Sequence, residues 1–282
     1  MRVLITGAGG QIGHDLVEHC AASGDQVSAF DRGALDIGDR DQVFGTVMSS
    51  PPDVVFNLAA WTAVDACESD PDRAYRVNAL AVRWLREACE RVGAHLVQLS
   101  TDYVFDGSLD RPYHEWDTPN PQSVYGASKL AGEREVRPYD TVVRTSWVCG
   151  EHGNNMVKTV LGLLETHDSL SFVDDQVGCP TFSADLAVAV RQLGVGRRSG
   201  VHHVTNQGAV SWYEFVGDVV VASGRSRDIV KPIATADLQP PRPVRRPANS
   251  VLDNAALRLA DLPLLRHYSE PLSELVNRLL AS

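Results

Sequence analysis

The chain has 282 residues, of which 44% are hydrophobic and 22% are charged, and its formal net charge is -10. This composition is typical of a globular protein and argues against extended disorder. The acidic balance repels phosphate backbones, so we do not expect a nucleic-acid partner, although a local basic pocket for a small phosphorylated ligand stays compatible with it.

The cysteines predict free thiols in a reducing compartment. They are odd in number, widely spaced and without a Cys-x-x-Cys pair, namely Cys20, Cys67, Cys89, Cys149 and Cys179. This pattern indicates neither a disulfide framework nor a zinc site. The amino terminus enters a strand without a signal-peptide pattern, and no apolar run approaches the ~18 residues that a membrane helix needs. We therefore expect a cytoplasmic protein with no membrane partner.

The first half of the chain alternates short apolar strands with amphipathic helices. Strands are predicted over Arg2–Thr6, Gln26–Phe30, Asp53–Leu58, His95–Ser100 and Thr141–Val148. Helices are predicted over Gly10–Ser23, Pro71–Arg91 and Tyr125–Val136. Both sets follow from hydrophobic spacing, with a proline at the start of one helix. This alternation predicts an α/β fold with a doubly wound parallel sheet of the Rossmann type.

The second half is less regular and predicts a smaller substrate-binding lobe. Helices are expected over Asn155–Thr166, Ser183–Leu193, Trp212–Ala222 and Pro271–Leu280, and a strand over Gly200–Thr205. Proline restricts the backbone, so Pro240–Pro247 is predicted to be extended. We expect residues 1–149 to form the cofactor-binding domain, with later segments such as 182–206 returning to it. Residues 150–282 would mainly form the discontinuous lobe.

A glycine-rich turn joins the first strand to the first helix. Gly7, Gly10 and Gly13 give the spacing GxxGxxG. Glycine permits a tight turn and a close approach of a pyrophosphate, and the helix that follows offers unpaired amide groups and a favourable dipole. The alternative is a turn that only packs a helix against a strand. The strand–turn–helix context favours a dinucleotide site.

Two charges at the end of the second strand favour different nicotinamide cofactors. Asp31 can accept hydrogen bonds from the adenosine ribose, which favours NAD. Arg32 can pair with a 2′-phosphate, which favours NADP. Each could instead be a solvated surface charge. The two patterns conflict, so we expect NADPH as the cellular donor with NADH also accepted.

A tyrosine, a lysine and a threonine suggest oxidoreductase chemistry. Tyr125 and Lys129 form YxxxK on a predicted helix, so both side chains share a face. An ammonium beside a phenol lowers the phenol pKa and makes tyrosine a usable acid or base. Thr101 follows the preceding strand, at the edge where α/β sheets bind ligands. Alone, YxxxK could be a surface pair and Thr101 a cap, but the three elements occur in the order that a reductase needs.

Longer motifs carry a family resemblance that spans nearly the whole chain. They are the segments 57–65 (NLAAWTAVD), 100–107 (STDYVFDG), 125–133 (YGASKLAGE), 144–148 (RTSWV), 153–155 (GNN), 175–181 (DQVGCPT) and 246–252 (RPANSVL). Together with the glycine turn, they resemble the extended short-chain dehydrogenase/reductase superfamily. Within it they resemble the dTDP-4-dehydrorhamnose reductase family.

The resemblance implies roles for residues at matching positions. The catalytic set would be Thr101, Tyr125 and Lys129. The cofactor would contact Gly7, Gly10, Gln11, Ile12, Gly13, Asp31, Arg32, Ala59, Ala60, Thr62, Tyr125 and Lys129. The nucleotide sugar would contact Asp102, Val104, Trp147, Asn155 and Arg246. Trp147 could instead be a core aromatic. The arginines at 242, 245 and 246 could belong to a solvated proline-rich linker, although three clustered cations in an acidic protein suit a diphosphate.

The activity implied by the resemblance is reduction of the 4-keto group of dTDP-4-dehydrorhamnose to dTDP-L-rhamnose by NAD(P)H. A reductase of another nucleotide-linked 4-keto-6-deoxysugar is the nearest alternative. A non-catalytic dinucleotide-binding regulatory subunit is a second alternative, which the complete triad disfavours. The resemblance also suggests a homodimer. Magnesium is reported in the family, but the sequence has no acidic cluster that demands a metal, so magnesium stays open and no metal-ligating residue is assigned.

Overall fold

The computed structural model describes residues 1–281, in which strands and helices alternate through the first half of the chain. The strands are β1 (Arg2–Thr6), β2 (Gln26–Phe30), β3 (Val54–Asn57), β4 (His95–Thr101), β5 (Thr141–Thr145), β6 (Val148–Cys149), β7 (Leu170–Val173), β8 (Val177–Gly178), β9 (Thr181–Phe182), β10 (Gly200–His203), β11 (Val210–Ser211) and β12 (Val230–Ile233). The helices are α1 (Gln11–Ala22), α2 (Arg40–Ser49), α3 (Val64–Ser69), α4 (Pro71–Tyr75), α5 (Ala81–Val92), α6 (Val124–Glu135), α7 (Met156–Leu164), α8 (Ser183–Val195), α9 (Trp212–Ala222), α10 (Ala255–Leu259) and α11 (Ser269–Ala281).

A parallel sheet of six strands organises the described chain, in the order β2-β1-β3-β4-β5-β10. The order reverses at β1, where Val3 pairs with Val27 of β2 on one side and with Val54 of β3 on the other. Sheets of this kind bind ligands in the crevice outside the carboxyl ends of the strands on either side of such a switch point. The prediction of a doubly wound Rossmann-type sheet is confirmed.

Helices cover both faces of the sheet, which explains why its central strands are buried along almost their whole length. One face packs Ile5 of β1 against Leu16 of α1 and Leu186 of α8. The other face packs helices α2 and α5 through Val43 and Leu85. Burial of each such side chain contributes roughly 1.5–3 kcal/mol. The two layers hold the carboxyl edge of the sheet in place.

A second hydrophobic cluster lies in the later part of the chain. It joins α7, α9 and α11 through side chains such as Val160, Phe215 and Val276. The short strand pair β7 and β12 flanks this cluster, with Leu170 opposite Val230. The division of the chain into a cofactor domain and a substrate lobe remains a prediction.

Several sequence predictions of secondary structure need correction. The strand expected over 141–148 ends at Thr145, because Trp147 adopts a left-handed backbone with φ +47° that a strand cannot continue through. The helix expected over 71–91 contains a π-helical turn over Arg76–Leu80. The strand expected over 200–205 ends at His203. The proline-rich run bends instead of staying extended throughout. Helices α2 and α3 and strands β7 and β12 were not predicted.

Other features agree closely with the sequence. Strands β1 and β2 and helix α9 have the predicted bounds. All five cysteines are buried and free in the described chain. Within residues 1–281, no helix combines the length and hydropathy needed to cross a membrane.

Candidate active site

Two adjoining cavities lie at the carboxyl edge of the sheet, around the switch point at β1. The first has a volume of about 590 Å³ and the second about 700 Å³. Both are lined by Gly7 and Gly10 of the glycine turn and by Leu58 and Ala60 after β3. The glycine turn therefore forms a common floor, and an elongated ligand could pass from one cavity to the other.

The glycine turn is shaped for close approach by a ligand. Gly7 has φ +72°, and a Cβ there would lie 2.7 Å from the Ala59 nitrogen. A Cβ on Gly13 would lie 2.7 Å from the Ala8 Cα. Helix α1 begins after Gly10, which has no side chain to cap the first amide groups. The first turn of α1 can therefore accept an anion such as a pyrophosphate.

The second cavity contains the charges that the sequence assigned to the adenosine ribose. Asp31 and Arg32 both line it. The Asp31 Oδ1 already accepts hydrogen bonds from the amides of Gly33 and Ala34, each at 2.9 Å, which leaves the other carboxylate oxygen for a ligand. Within residues 1–281, Arg32 has no hydrogen bond or ion pair. Both groups are thus available to a ribose.

Two further arginines line the second cavity, and the sequence analysis did not identify them. They are Arg73, which lies 4.3 Å above the Trp61 ring, and Arg76, at the start of the π-helical turn. They add positive charge to the second cavity, which is one end of the trough that the two adjoining cavities form. In the sequence both arginines fall within the helix predicted over 71–91, where nothing distinguishes them from surface charges.

Thr101 and Tyr125 meet in the first cavity, as predicted from the strand order. Thr101 is the last residue of β4, and Tyr125 lies in the first turn of α6. The Thr101 hydroxyl donates to Asp102 Oδ1 at 2.9 Å and accepts from the Tyr103 amide at 3.2 Å. Burial raises the pKa of Tyr125 above its usual range, while a hydrogen bond with Thr101 opposes that rise. The phenol is therefore protonated and able to donate.

Lys129 lies one helical turn beyond Tyr125, but its side chain lies behind the wall of the first cavity and does not line it. Its Nζ donates to the Leu99 carbonyl at 2.6 Å, and its side chain is buried. Burial lowers the pKa of Lys129 to about 8, against the opposing charge of Glu133. The sequence predicted that this ammonium would lower the phenol pKa. In the structure desolvation dominates at both groups, because both side chains are buried.

The structure brings some of the predicted substrate residues to the cavity and not others. Asp102, Trp147 and Arg246 line it. Val104 is fully buried in a small cluster with Phe105, behind the cavity wall. Asn155 caps helix α7 and does not line the cavity, because its amide is used by protein groups.

The contacts of Asn155 explain its position. Its Oδ1 accepts from the Lys158 amide at 3.2 Å. Its Nδ2 donates to the Gln11 side chain at 3.0 Å and to the Gly150 carbonyl at 2.7 Å. Gln11 itself lines the first cavity, so Asn155 contacts the cofactor side of the trough only through another residue.

Three buried polar atoms on the wall of the first cavity have no hydrogen-bond partner among residues 1–281. They are Asp102 Oδ2, Thr145 Oγ1 and Arg246 Nη1. The other guanidinium nitrogen of Arg246 donates to Asp65 at 2.9 Å. Buried polar groups are usually paired, so unpaired ones around one cavity indicate a polar ligand. Thr145 escaped the sequence analysis because its strand was expected to continue to Val148.

Asp102 has the environment expected of a functional carboxyl group. It is only 2% exposed, and burial raises its pKa to about 6 despite the hydrogen bond from Thr101. A buried carboxyl that faces a cleft with a shifted pKa is a candidate for ligand contact. It lies next to Thr101 and therefore close to the phenol of Tyr125.

Within residues 1–281, no group of three or more His, Cys, Asp or Glu side chains is placed to hold a metal ion. The cavity walls instead combine hydroxyl groups, amide groups and arginines. We assign no reaction step to magnesium.

Comparison with known proteins gives concordant similarities. The family model described as "RmlD substrate binding domain" matches residues 1–281. A dTDP-4-dehydrorhamnose reductase of Streptomyces griseus is 43% identical over 97% of this chain and 92% of its own length.

Solved structures agree with this result. A dTDP-4-dehydrorhamnose reductase of Clostridium acetobutylicum has a TM-score of 0.95 and 42% identity, covering 99% of this chain and 100% of its own. A dTDP-4-dehydrorhamnose reductase of Bacillus anthracis in complex with NADP has a TM-score of 0.93 and 37% identity, covering 98% and 99%. These similarities extend over nearly the whole chain.

Proposed function

Because the chain belongs to the dTDP-4-dehydrorhamnose reductase family, we propose that its two adjoining cavities bind NAD(P)H and a dTDP-linked 4-keto sugar side by side. The protein is an NAD(P)H-dependent oxidoreductase that reduces dTDP-4-dehydrorhamnose to dTDP-L-rhamnose. The observation that most strongly supports this assignment of the cavities is the set of unpaired polar atoms of Asp102, Thr145 and Arg246, three residues that line the same cavity as the glycine turn.

The cofactor residues follow the trough from one end to the other. Gly7, Gly10 and Gly13, with the first amides of α1, hold the pyrophosphate. The backbone and side chains after β3 flank the nucleotide, with Ala59 lining the adenosine end, Thr62 the nicotinamide end and Ala60 both cavities. Asp31 and Arg32 contact the adenosine ribose. The same arginine and its neighbours in the second cavity favour NADPH, while the carboxylate of Asp31 keeps NADH acceptable.

The proton that completes the reduction comes from Tyr125. When bound, the dihydronicotinamide supplies a hydride to C4 of the sugar. Thr101 holds the C4 oxygen by its hydroxyl, and the buried, protonated phenol of Tyr125 donates its proton to that oxygen. Lys129 is one helical turn away behind the cavity wall and stays charged below about pH 8, so it can stabilise the phenolate that remains. Contact with the nicotinamide ribose requires its Nζ to leave the Leu99 carbonyl.

The rest of the cavity wall recognises the nucleotide sugar. Arg246, with Arg242 beside it in the lining, pairs with the diphosphate. Asp102 and Thr145 hydrogen-bond hydroxyl groups of the sugar, and the indole of Trp147 packs against an apolar ring face. Val104 and Asn155 support this wall and the glycine turn from behind.

The cellular setting is part of the same proposal. We place the enzyme in the cytoplasm, where the five buried thiols stay reduced. A homodimer is the assembly that the family resemblance suggests, and light scattering of the purified protein measures it directly.

The experiment that tests the function follows hydrogen into the product. The purified protein is incubated with dTDP-4-dehydrorhamnose and NADPH that carries deuterium at the transferred position. We expect dTDP-L-rhamnose with deuterium at C4, identified by NMR and mass spectrometry. A UDP-linked 4-keto-6-deoxysugar serves as the competitor for the nearest alternative. Tight binding of NADPH without turnover of either sugar would instead favour a regulatory, non-catalytic subunit.

A further inference from the structure

Trp147 has an unusual backbone for a residue that lines a binding cavity. It follows β5 with φ +47°, in the left-handed region that residues other than glycine seldom adopt. Such conformations persist only where surrounding contacts determine them, and they cluster at ligand sites. Its carbonyl accepts the amide of Thr181 at 3.2 Å, which fixes the peptide but not the indole.

Two residues hold the indole itself. Trp212 stacks on it with ring centroids 3.5 Å apart and an interplanar angle of 5°. Gly178 lies against the ring, where a Cβ would come within 2.5 Å of Cε2 and 2.6 Å of Nε1. The absence of a side chain at Gly178 is therefore what makes room for the ring in its present position. Gly178 is buried and does not line either cavity.

Gly178 and Trp212 belong to one small structural unit. Gly178 of β8 pairs with Val210 of β11, and Trp212 begins helix α9 directly after that strand. Ser211 caps this helix in a reciprocal capping box with Glu214, which fixes where the helix starts. The position of the Trp212 ring relative to Gly178 is thus set by backbone hydrogen bonds rather than by side-chain packing alone.

We propose that Gly178, as a positioning residue, and the ring of Trp212, which itself lines the first cavity, set the indole of Trp147 at the angle at which it forms the sugar-nucleotide wall. They control affinity for the nucleotide sugar and leave the dinucleotide site unaffected, because the glycine turn and the second cavity lie outside this unit. This inference rests on the proposed function, which assigns Trp147 to the substrate side of the trough. It also explains the glycine of the DQVGCPT motif, which has no other role in the site.

The test is Gly178→Ala, with Gly162→Ala as the matched control. A Cβ on Gly162 of α7 would meet no atom within 4 Å, so this variant should behave as wild type. For Gly178→Ala we expect KM for the sugar nucleotide to rise about tenfold, equivalent to about 1.4 kcal/mol. The dissociation constant of NADPH should stay within about twofold, a range of about 0.4 kcal/mol. The exciton couplet that the stacked indoles give in circular dichroism should shift.

A double-mutant cycle separates positioning from general damage. In a Trp147→Ala background, Gly178→Ala should add no further loss, because the group it displaces is gone. Additive losses, or a parallel loss of NADPH affinity, would overturn the inference. An unchanged KM and couplet in a folded Gly178→Ala protein would overturn it as well. If the wild-type protein reduces no sugar nucleotide, the proposed function fails. The positioning of the Trp147 ring by Gly178 is then tested by the circular-dichroism couplet and by the affinity for dTDP.

Discussion

Replacing Asp102 by asparagine should make the protein more stable at neutral pH and less active. Burial raises the pKa of this carboxyl from 3.8 to about 6, so its ionisation opposes folding by about 3 kcal/mol at pH 7.5. The cost is fully present above the folded pKa of about 6 and disappears as the pH falls below the ordinary value. Asparagine keeps an acceptor for the Thr101 hydroxyl and removes the charge.

The gain in the free energy of unfolding is the ionisation cost of Asp102 less the cost of the new amide. A buried amide that lacks a partner costs at least about 1 kcal/mol, so we expect a net gain of about 2 kcal/mol at pH 7.5. In a protein of 282 residues that raises Tm by about 3–4 °C. Near pH 5 the carboxyl is mostly protonated in the folded state, and the gain should fall below about 1 kcal/mol. Thermal unfolding of both proteins at the two pH values measures the difference.

Asp102→Asn should stabilise the protein but lower its catalytic activity. Loss of a charged hydrogen bond to the sugar should lower kcat/KM by roughly 10- to 100-fold. Asp106→Asn is the control, because hydrogen bonds from Ser108 and Asn120 hold the pKa of Asp106 well below its usual range. That variant should be destabilised at neutral pH. A less stable Asp102→Asn protein, or one with normal kcat/KM, would refute the assignment of Asp102 as an ionised, ligand-facing group.

Four further variants test the cofactor side. Lys129→Ala should reduce turnover and NADPH affinity together. Wild type should lose activity as the pH rises through about 8, and pH–rate profiles should show that this loss is absent in the variant. Arg32→Ala should shift the ratio of kcat/KM for NADPH over NADH about fivefold toward NADH, and Asp31→Ala about fivefold toward NADPH; unchanged ratios would assign the ribose to other residues. Gly13→Ala places a Cβ 2.7 Å from the Ala8 Cα and should raise the dissociation constant of NADPH at least about tenfold, so calorimetry showing normal binding would contradict the role of the turn.

The sequence predicted the centre of the fold well because local rules govern it. Apolar runs and the glycine turn determine β1, α1 and β2, and parallel strands bring their carboxyl ends to one edge. The sequence therefore predicts that Thr101 and Tyr125 lie in one site. The same logic does not apply to the later segments, where strands such as β7 and β12 are short and pair across distant parts of the chain.

The errors in the site have a common physical cause, which is that side-chain chemistry does not reveal what a group contacts. An asparagine can bind a sugar or cap a helix, and Asn155 does the second. Thr145 was missed because the end of β5 depends on the backbone of Trp147, which a hydrogen bond from the distant amide of Thr181 holds. Burial of Lys129 likewise depends on the packing of α6 against β4.

The central claim is that Tyr125 supplies the proton that completes reduction at C4. The direct test is Tyr125→Phe, measured by single-turnover oxidation of NADPH in the presence of dTDP-4-dehydrorhamnose and by equilibrium binding of NADPH. Removing the hydroxyl should lower the rate by about 10²-fold or more, while the dissociation constant of NADPH changes by less than about twofold. A rate close to that of wild type, with NADPH bound normally, would contradict the account.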